Sequence, residues 1–176
     1  MQIEFQLTET DYLDHQLFLV TKKERTTHKM RNTWLRLSVG SLVLAIIFYV
    51  VEMTYLTYYF LIISALAGLF YPSYLKWKYK RHFASYVRQT YHDRINETET
   101  LKFTAENIES SNKFGEAKTK ISSLQEISET SNHFFIHLSP AMSFIIPKRQ
   151  IADLDQLRLH LQQLDIPIKD ELEWKW

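Results

Sequence analysis

Two apolar runs dominate the pattern of hydrophobic and polar positions, and both lie between Leu37 and Leu75. The first, Leu37 to Val51, carries no charge. Extended back over Leu35 and Trp34, it approaches the ~20 residues that a membrane-spanning helix needs. The second, Met53 to Leu75, has no carboxylate, amine or imidazole. At ~1.5 Å per residue it is long enough to cross a hydrocarbon core about 30 Å thick. Only Glu52 separates the two runs. A carboxylate deep in hydrocarbon is costly unless paired, so the pattern predicts a helical hairpin with Glu52 in a bend at one membrane surface.

On either side of the hairpin the pattern changes. Ile3, Phe5 and Leu7 alternate with Gln2, Glu4 and Gln6, the period of a half-buried strand. Thr8 and Asp11 have capping-box spacing, and Leu7 and Tyr12 sit where a hydrophobic staple would, so a helix should start near Glu9 with Leu13, Leu17 and Val20 on its apolar side. After the second run, Phe83, Val87, Tyr91 and Ile95 recur every four residues and predict an amphipathic helix.

From Glu97 the period is two. Leu101 and Phe103, Ile108 and Ser110, Ala117 to Ile121, Leu124 to Thr130, Phe134 to Leu138 and Met142 to Ile146 are separated by turn signals at Glu106-Asn107, Lys113-Phe114-Gly115, Ser131-Asn132 and Ser139-Pro140. They predict an antiparallel meander curled into a small barrel or sandwich. Pro147 should end the last strand, and Asp153 should cap a helix bearing Leu154, Leu157, Leu161 and Leu164 that covers the open end of the sheet and stops at Pro167.

A lone N-terminal strand is unstable in water, so residues 2–7 are expected to pair with the C-terminal sheet. The organisation that follows is a split domain with the hairpin inserted into it. Residues 1–33 form a strand and amphipathic helix that join the C-terminal domain, and 34–78 the transmembrane hairpin. Residues 79–96 form a connecting helix, 97–166 the cytoplasmic β domain with its helix, and 167–176 a tail.

Flanking residues orient the hairpin. Trp34, Tyr74, Trp77 and Tyr79 suit one interface, and Tyr49, Tyr55, Tyr58 and Tyr59 the other. Lys22, Lys23, Arg25, Lys29, Arg31 and Arg36 precede the hairpin, while Lys76, Lys78, Lys80 and Arg81 follow it. The bend has no cation, so both termini are expected in the cytoplasm. A formal charge of +1 in 176 residues argues against a nucleic-acid binder, and anionic headgroups account for the local basicity. Without cysteine there is no disulfide scaffold, thiolate metal site or cysteine nucleophile. The acidic, amphipathic start is not expected to act as a cleavable signal peptide.

Candidate chemistry is sparse. Ser41 and Ala45, and Ser64 and Gly68, are small residues four apart whose placement suits close packing of the two helices, or of a dimer. Lys148 and Arg149 stand where a strand ends before a helix. A phosphate or an acidic partner would fit there with help from helix amides, and two solvated cations beyond a proline are the simpler reading. His15 and His28 read as solvated. His82 and His92 point in different directions on a helix, and His133 and His137 lie roughly 13 Å apart along a strand, so neither pair chelates an ion unaided. No glycine-rich phosphate loop or hydrolase frame is present, and no metal, cofactor or small-molecule substrate is expected.

The N-terminal strand and helix, the two-span hairpin, and the stretch Phe144-Ile145-Ile146-Pro147-Lys148-Arg149-Gln150-Ile151 before a leucine-rich helix together resemble the YcxB-like family of bacterial membrane proteins, over essentially the whole chain. The C-terminal half is also similar to bacterial pleckstrin-homology-like domains. The resemblance implies an inner-membrane location and an α+β fold: a transmembrane hairpin inserted into a pleckstrin-homology-like antiparallel barrel or sandwich with a C-terminal helix. It implies no established reaction. The expected function is that of a non-enzymatic, membrane-anchored interaction or scaffold protein whose partners are the bilayer and another protein or a second copy. The alternative is a small transport or channel subunit assembled through the hairpin.

Overall fold

The alternation at the N-terminus produces β1 (Gln2–Gln6), whose Ile3 and Phe5 are buried while its polar residues face solvent. The computed structural model describes residues 1–22, 24–139 and 142–176, and for residues 24–27 and 29 the backbone alone. Lys23, the side chains of Arg25 and Lys29 in the basic flank, and the bend at Pro140 therefore lie outside what is described. After β1 come three helices: α1 (Glu9–Lys22), α2 (Glu24–Val50) and α3 (Thr54–Thr90). The strands β2 (Thr98–Phe103), β3 (Asn107–Asn112), β4 (Gly115–Lys120), β5 (Glu126–Thr130), β6 (His133–Ser139) and β7 (Met142–Pro147) follow, then α4 (Leu154–Gln162) and β8 (Ile168–Glu171).

The chain divides into two compact units. One holds residues 1–19 and 83–176, and the other residues 20–82. In the first, β1 pairs antiparallel with β2, Ile3 opposite Leu101 and Phe5 opposite Glu99, and the sheet runs β1-β2-β3-β4. The second sheet runs β7-β6-β5-β8. The fold is thus mixed α+β with two four-stranded sheets, and the described strands do not close into a barrel. The break falls after β4 for a physical reason. Glu116, Ala117, Lys118 and Lys120 are all exposed, so β4 offers no apolar face to a next strand. A 3-10 turn at Ile121–Ser123 carries the chain into the other sheet.

The segment expected as a tail instead supplies β8, which pairs parallel with β5, so the second sheet is not wholly antiparallel. Lys169 bonds Glu126 at 2.6 Å across that pair, and Trp174 meets Phe18 edge-on at 5.4 Å. The core of this unit joins both sheets to α1, to α4 and to the last turns of α3: Phe5, Leu101 and Ile108 meet Ile127, Phe134 and Ile146, with Phe18, Val87, Leu157 and Leu161 around them. Asp153 accepts a bond from the Gln156 amide at 2.8 Å, capping α4.

In the second unit α2 and α3 form a hairpin closed by a Schellman turn. The Met53 amide bonds Phe48 O at 2.9 Å and the Glu52 amide bonds Tyr49 O at 3.1 Å, which leaves Glu52 in the left-handed region with φ 61°. Across the hairpin the Ser64 hydroxyl donates to Ser38 O at 2.9 Å, and Phe48 stacks on Phe60 at 5.4 Å. α3 continues through Pro72.

Two substitutions follow from this packing, both read by denaturant unfolding of the full chain in mild detergent. Leu161→Ala removes a fully buried side chain and is expected to cost about 2–5 kcal/mol, against a near-neutral Leu159→Ala on the exposed face. Glu52→Gly relieves the left-handed strain and is expected to stabilise the hairpin by about 1 kcal/mol.

Candidate functional site

The polar centre of the first unit grows from the start of α1. Thr8 precedes the helix, and its amide and hydroxyl both donate to Asp11 Oδ2 at 2.7 Å, the reciprocal half of a capping box. This would normally be a solvated arrangement, but here Asp11 is only 1% exposed. A 3-10 turn at Lys148–Gln150 brings Arg149 over it, with Nη1 and Nη2 donating to the two carboxylate oxygens at 2.5 and 2.6 Å. His133 Nε2 on β6 donates to Oδ1 at 2.7 Å. Burial pushes the Asp11 carboxyl up, but the bonds from Arg149, His133 and Thr8 outweigh it and hold the group well below the usual carboxylate range. Reciprocally, the Asp11 carboxylate raises the Arg149 guanidinium.

A second buried carboxylate lies on β5. Glu129 receives Lys148 Nζ at 2.7 Å, and Arg158 of α4 through Nη2 at 2.7 Å and Nε at 3.3 Å. Burial raises Glu129, and the bonds from Arg158 and Lys148 reverse that to a net lowering. Lys148 Nζ also sits 4.7 Å over the Phe134 ring. Gln150 next to them closes the free edge of β1: its amide nitrogen donates to Gln6 O and its Oε1 accepts from Gln6 N, each at 2.8 Å.

Lys148 and Arg149 therefore do share a surface recess, about 480 Å³ in volume, with Thr10, Asp11, Asn132 and His133. Each is already bonded to a carboxylate of its own chain, Lys148 almost wholly buried and Arg149 half exposed. An incoming anion would have to compete with Asp11 or Glu129. An ionised Asp11 held by five donors has neither a proton to give nor a free lone pair with which to act as a base.

Histidines gather on the neighbouring face of β6. His137 lies between the Ser128 hydroxyl at 3.1 Å and the Ser143 hydroxyl at 2.8 Å, while His133 faces Asp11. His15 is the correction to a solvated reading: it is 5% exposed, packs at 5.2 Å on Phe135, and its Nε2 has no hydrogen-bond partner. Its apolar neighbours on α1, Leu17 and Phe18, are buried too, so the sequence signal lay in the breadth of the helix's apolar face. Burial, then the proximity of His137 and His133, lowers His15 to about 4. By contrast, His28 and His92 are exposed, and among the described residues they bond Arg31 and Asp93 respectively.

In the hairpin, Ser41 and Ala45 are buried and Ser64 makes the cross-helix bond. Gly68 is half buried, and a Cβ added there would meet nothing within 4 Å. Ala67 is the buried small residue at that level. Both helices are long and apolar enough to cross a membrane, and only 11% of the apolar window of each is buried.

Residues 103–161 match the model of the family described as YcxB-like protein. The matched segment runs from the end of β2 through most of α4 and takes in Glu129, His133, Lys148 and Arg149, so this part of the chain is similar to that family. No curated protein and no solved structure matches the chain.

The buried imidazole sets a pH dependence. A histidine whose folded pKa is depressed contributes stability that is fully present above its unfolded value near 6.5 and is lost as pH falls towards the folded value of about 4. The loss over that window is on the order of 3 kcal/mol. The Asp11 contribution is lost only at lower pH, below about 4. In unfolding curves recorded across this range, His15→Leu is expected to flatten the upper window and leave the lower one. An unchanged upper window would mean that His15 titrates in contact with water.

Proposed function

We propose that this is a non-catalytic, membrane-anchored interaction protein of the bacterial inner membrane. In this reading α2 and α3 cross the bilayer as a hairpin and the split α+β unit is a cytoplasmic, pleckstrin-homology-like head. The observation that carries the reading is the outward display of apolar side chains along both helices. Val39, Ile46, Leu69 and Phe70 are 52%, 56%, 73% and 62% exposed, far more greasy surface than a helix pair leaves in water. Arg31, Arg36, Lys76, Lys78, Lys80 and Arg81 gather at the open end and no cation occupies the bend, the asymmetry of a hairpin with both ends inside.

The head supports an adaptor in place of an enzyme because its buried carboxylates are bound up in internal ion pairs. Its partner is a protein or a second copy, reached by sheet-edge pairing or at the corner from Ile146 to Ile151. Of the edges of the first sheet, β1 has its terminal amide and carbonyl occupied by Gln150, and β4 carries exposed Lys118 and Lys120, so a partner strand added at β4 would have to bring acidic side chains.

The absence of cysteine makes the topology directly measurable. With Glu52→Cys and Phe114→Cys as separate single-cysteine chains in native membranes, a membrane-impermeant maleimide is expected to label residue 52 in intact cells and residue 114 only after permeabilisation. Release of the protein by an alkaline carbonate wash, or the reverse labelling, would overturn the reading.

A further inference from the structure

We propose that the cleft between α2 and α3 at the cationic end of the hairpin binds one anionic glycerophospholipid, its headgroup at Lys78 and an acyl chain along Leu75 and Tyr71. The proposal rests on the membrane reading above and goes further by giving the hairpin a specific lipid ligand.

The cleft has a volume of about 380 Å³ and lies between Met30 and Thr33 of α2 and a stripe on α3. That stripe is Tyr71, Leu75, Lys78 and His82, spaced by four, three and four residues, so it follows one face of the helix for about 16 Å. Along it the chemistry changes in one direction, from an aromatic and an aliphatic side chain to an amine and an imidazole. A lipid has the same order of parts, chain first and headgroup last.

The cation at the polar end is uncompensated. Lys78 has no hydrogen-bond or ion-pair partner among the described residues, whereas Lys102, Lys113, Lys118, Lys148 and Lys169 of the head each face a carboxylate. Among the described side chains no carboxylate lies close in sequence to either wall, since there is no Asp or Glu from Met30 to Val51 or from Met53 to His92. An anion from outside can supply the counter-charge, and the apolar continuation of the cleft selects one that carries a hydrocarbon tail. Trp77, half exposed with the Arg81 guanidinium 5.4 Å over its ring and Tyr74 at 6.1 Å, marks the same level of α3 as an interfacial anchor. Basic clefts between spanning helices on the cytoplasmic side are where anionic headgroups are held.

The test uses the full chain in nanodiscs of equimolar phosphatidylglycerol and phosphatidylcholine, with retained lipid counted by native mass spectrometry. The wild type is expected to keep phosphatidylglycerol in preference. Lys78→Ala is expected to lower that retention about fivefold, and Leu75→Trp, which fills the apolar end, to lower it as well. Lys80→Ala, the same loss of charge on the face away from the cleft, is expected to change it less than about twofold. Equal retention of the two lipids, equal effects of Lys78→Ala and Lys80→Ala, or displacement of the lipid by glycerol 3-phosphate alone would each overturn the proposal. An alkaline carbonate wash of native membranes that hold the same chain separates the two failures. A chain that stays anchored yet shows no preference removes the lipid site alone, and a chain that is released removes the membrane reading with it.

Discussion

A carboxylate taken out of water must recover its hydrogen bonds from the protein, and the way Asp11 does so holds the split unit together. Two bonds come from Thr8, three residues before it, one from His133, and two from Arg149, 138 residues further along the chain. The local bonds start α1, and the distant ones fasten that start to β6 and to the turn after β7. The entire apolar hairpin lies between the partners in sequence. A chain whose ends must meet across such an insertion needs a contact that only the correct closure satisfies, and a bidentate guanidinium fork on a buried carboxylate is geometrically specific in that way. Its net contribution to stability is smaller than its bond count suggests, because both ions give up hydration, but loss of either partner leaves a buried charge exposed to the full penalty.

The Glu129 cluster repeats the device on β5, where Ile127, Ser128, Glu129 and Thr130 are all buried. A strand covered on both faces would ordinarily be aliphatic. Here Ser128 faces His137, Thr130 closes the turn to His133, and Glu129 takes Lys148 and Arg158, so each buried polar group is met. The charges of the head thus serve the fold. Those of α3 between Lys76 and Arg81 follow a run without acidic residues, which is why the proposed ligand chemistry belongs to the hairpin and not to the Lys148-Arg149 corner.

Periodicity made much of this legible. Alternation located β1 and the strands from β2 to β7, spacing of four located Val87 and Tyr91 against the core, and Asp153 marked the start of α4. The turn around Glu52 followed from charge alone, although its backbone takes the left-handed form that glycine usually supplies. What stayed hidden was polar and buried. Asp11 read as a cap and Arg149 as a free cation, since no one-dimensional pattern announces a pair 138 residues apart. His15 looked solvated because a hydrophobic pattern does not register an imidazole stacked on Phe135. β8, with Ile168 followed by Lys169, Asp170 and Glu171, has too few apolar positions to show a period, and its pairing with β5 supplies the order its sequence lacks.

A double-mutant cycle between Asp11 and Arg149, measured as unfolding free energy of the full chain at neutral pH, tests this account most directly. With Asp11→Asn, Arg149→Met and the double variant, each single substitution is expected to cost about 3–5 kcal/mol and the double variant far less than their sum, a coupling of about 2–3 kcal/mol. Additivity to within about 0.5 kcal/mol would contradict it, for it would mean that the ends of the split unit close without that contact.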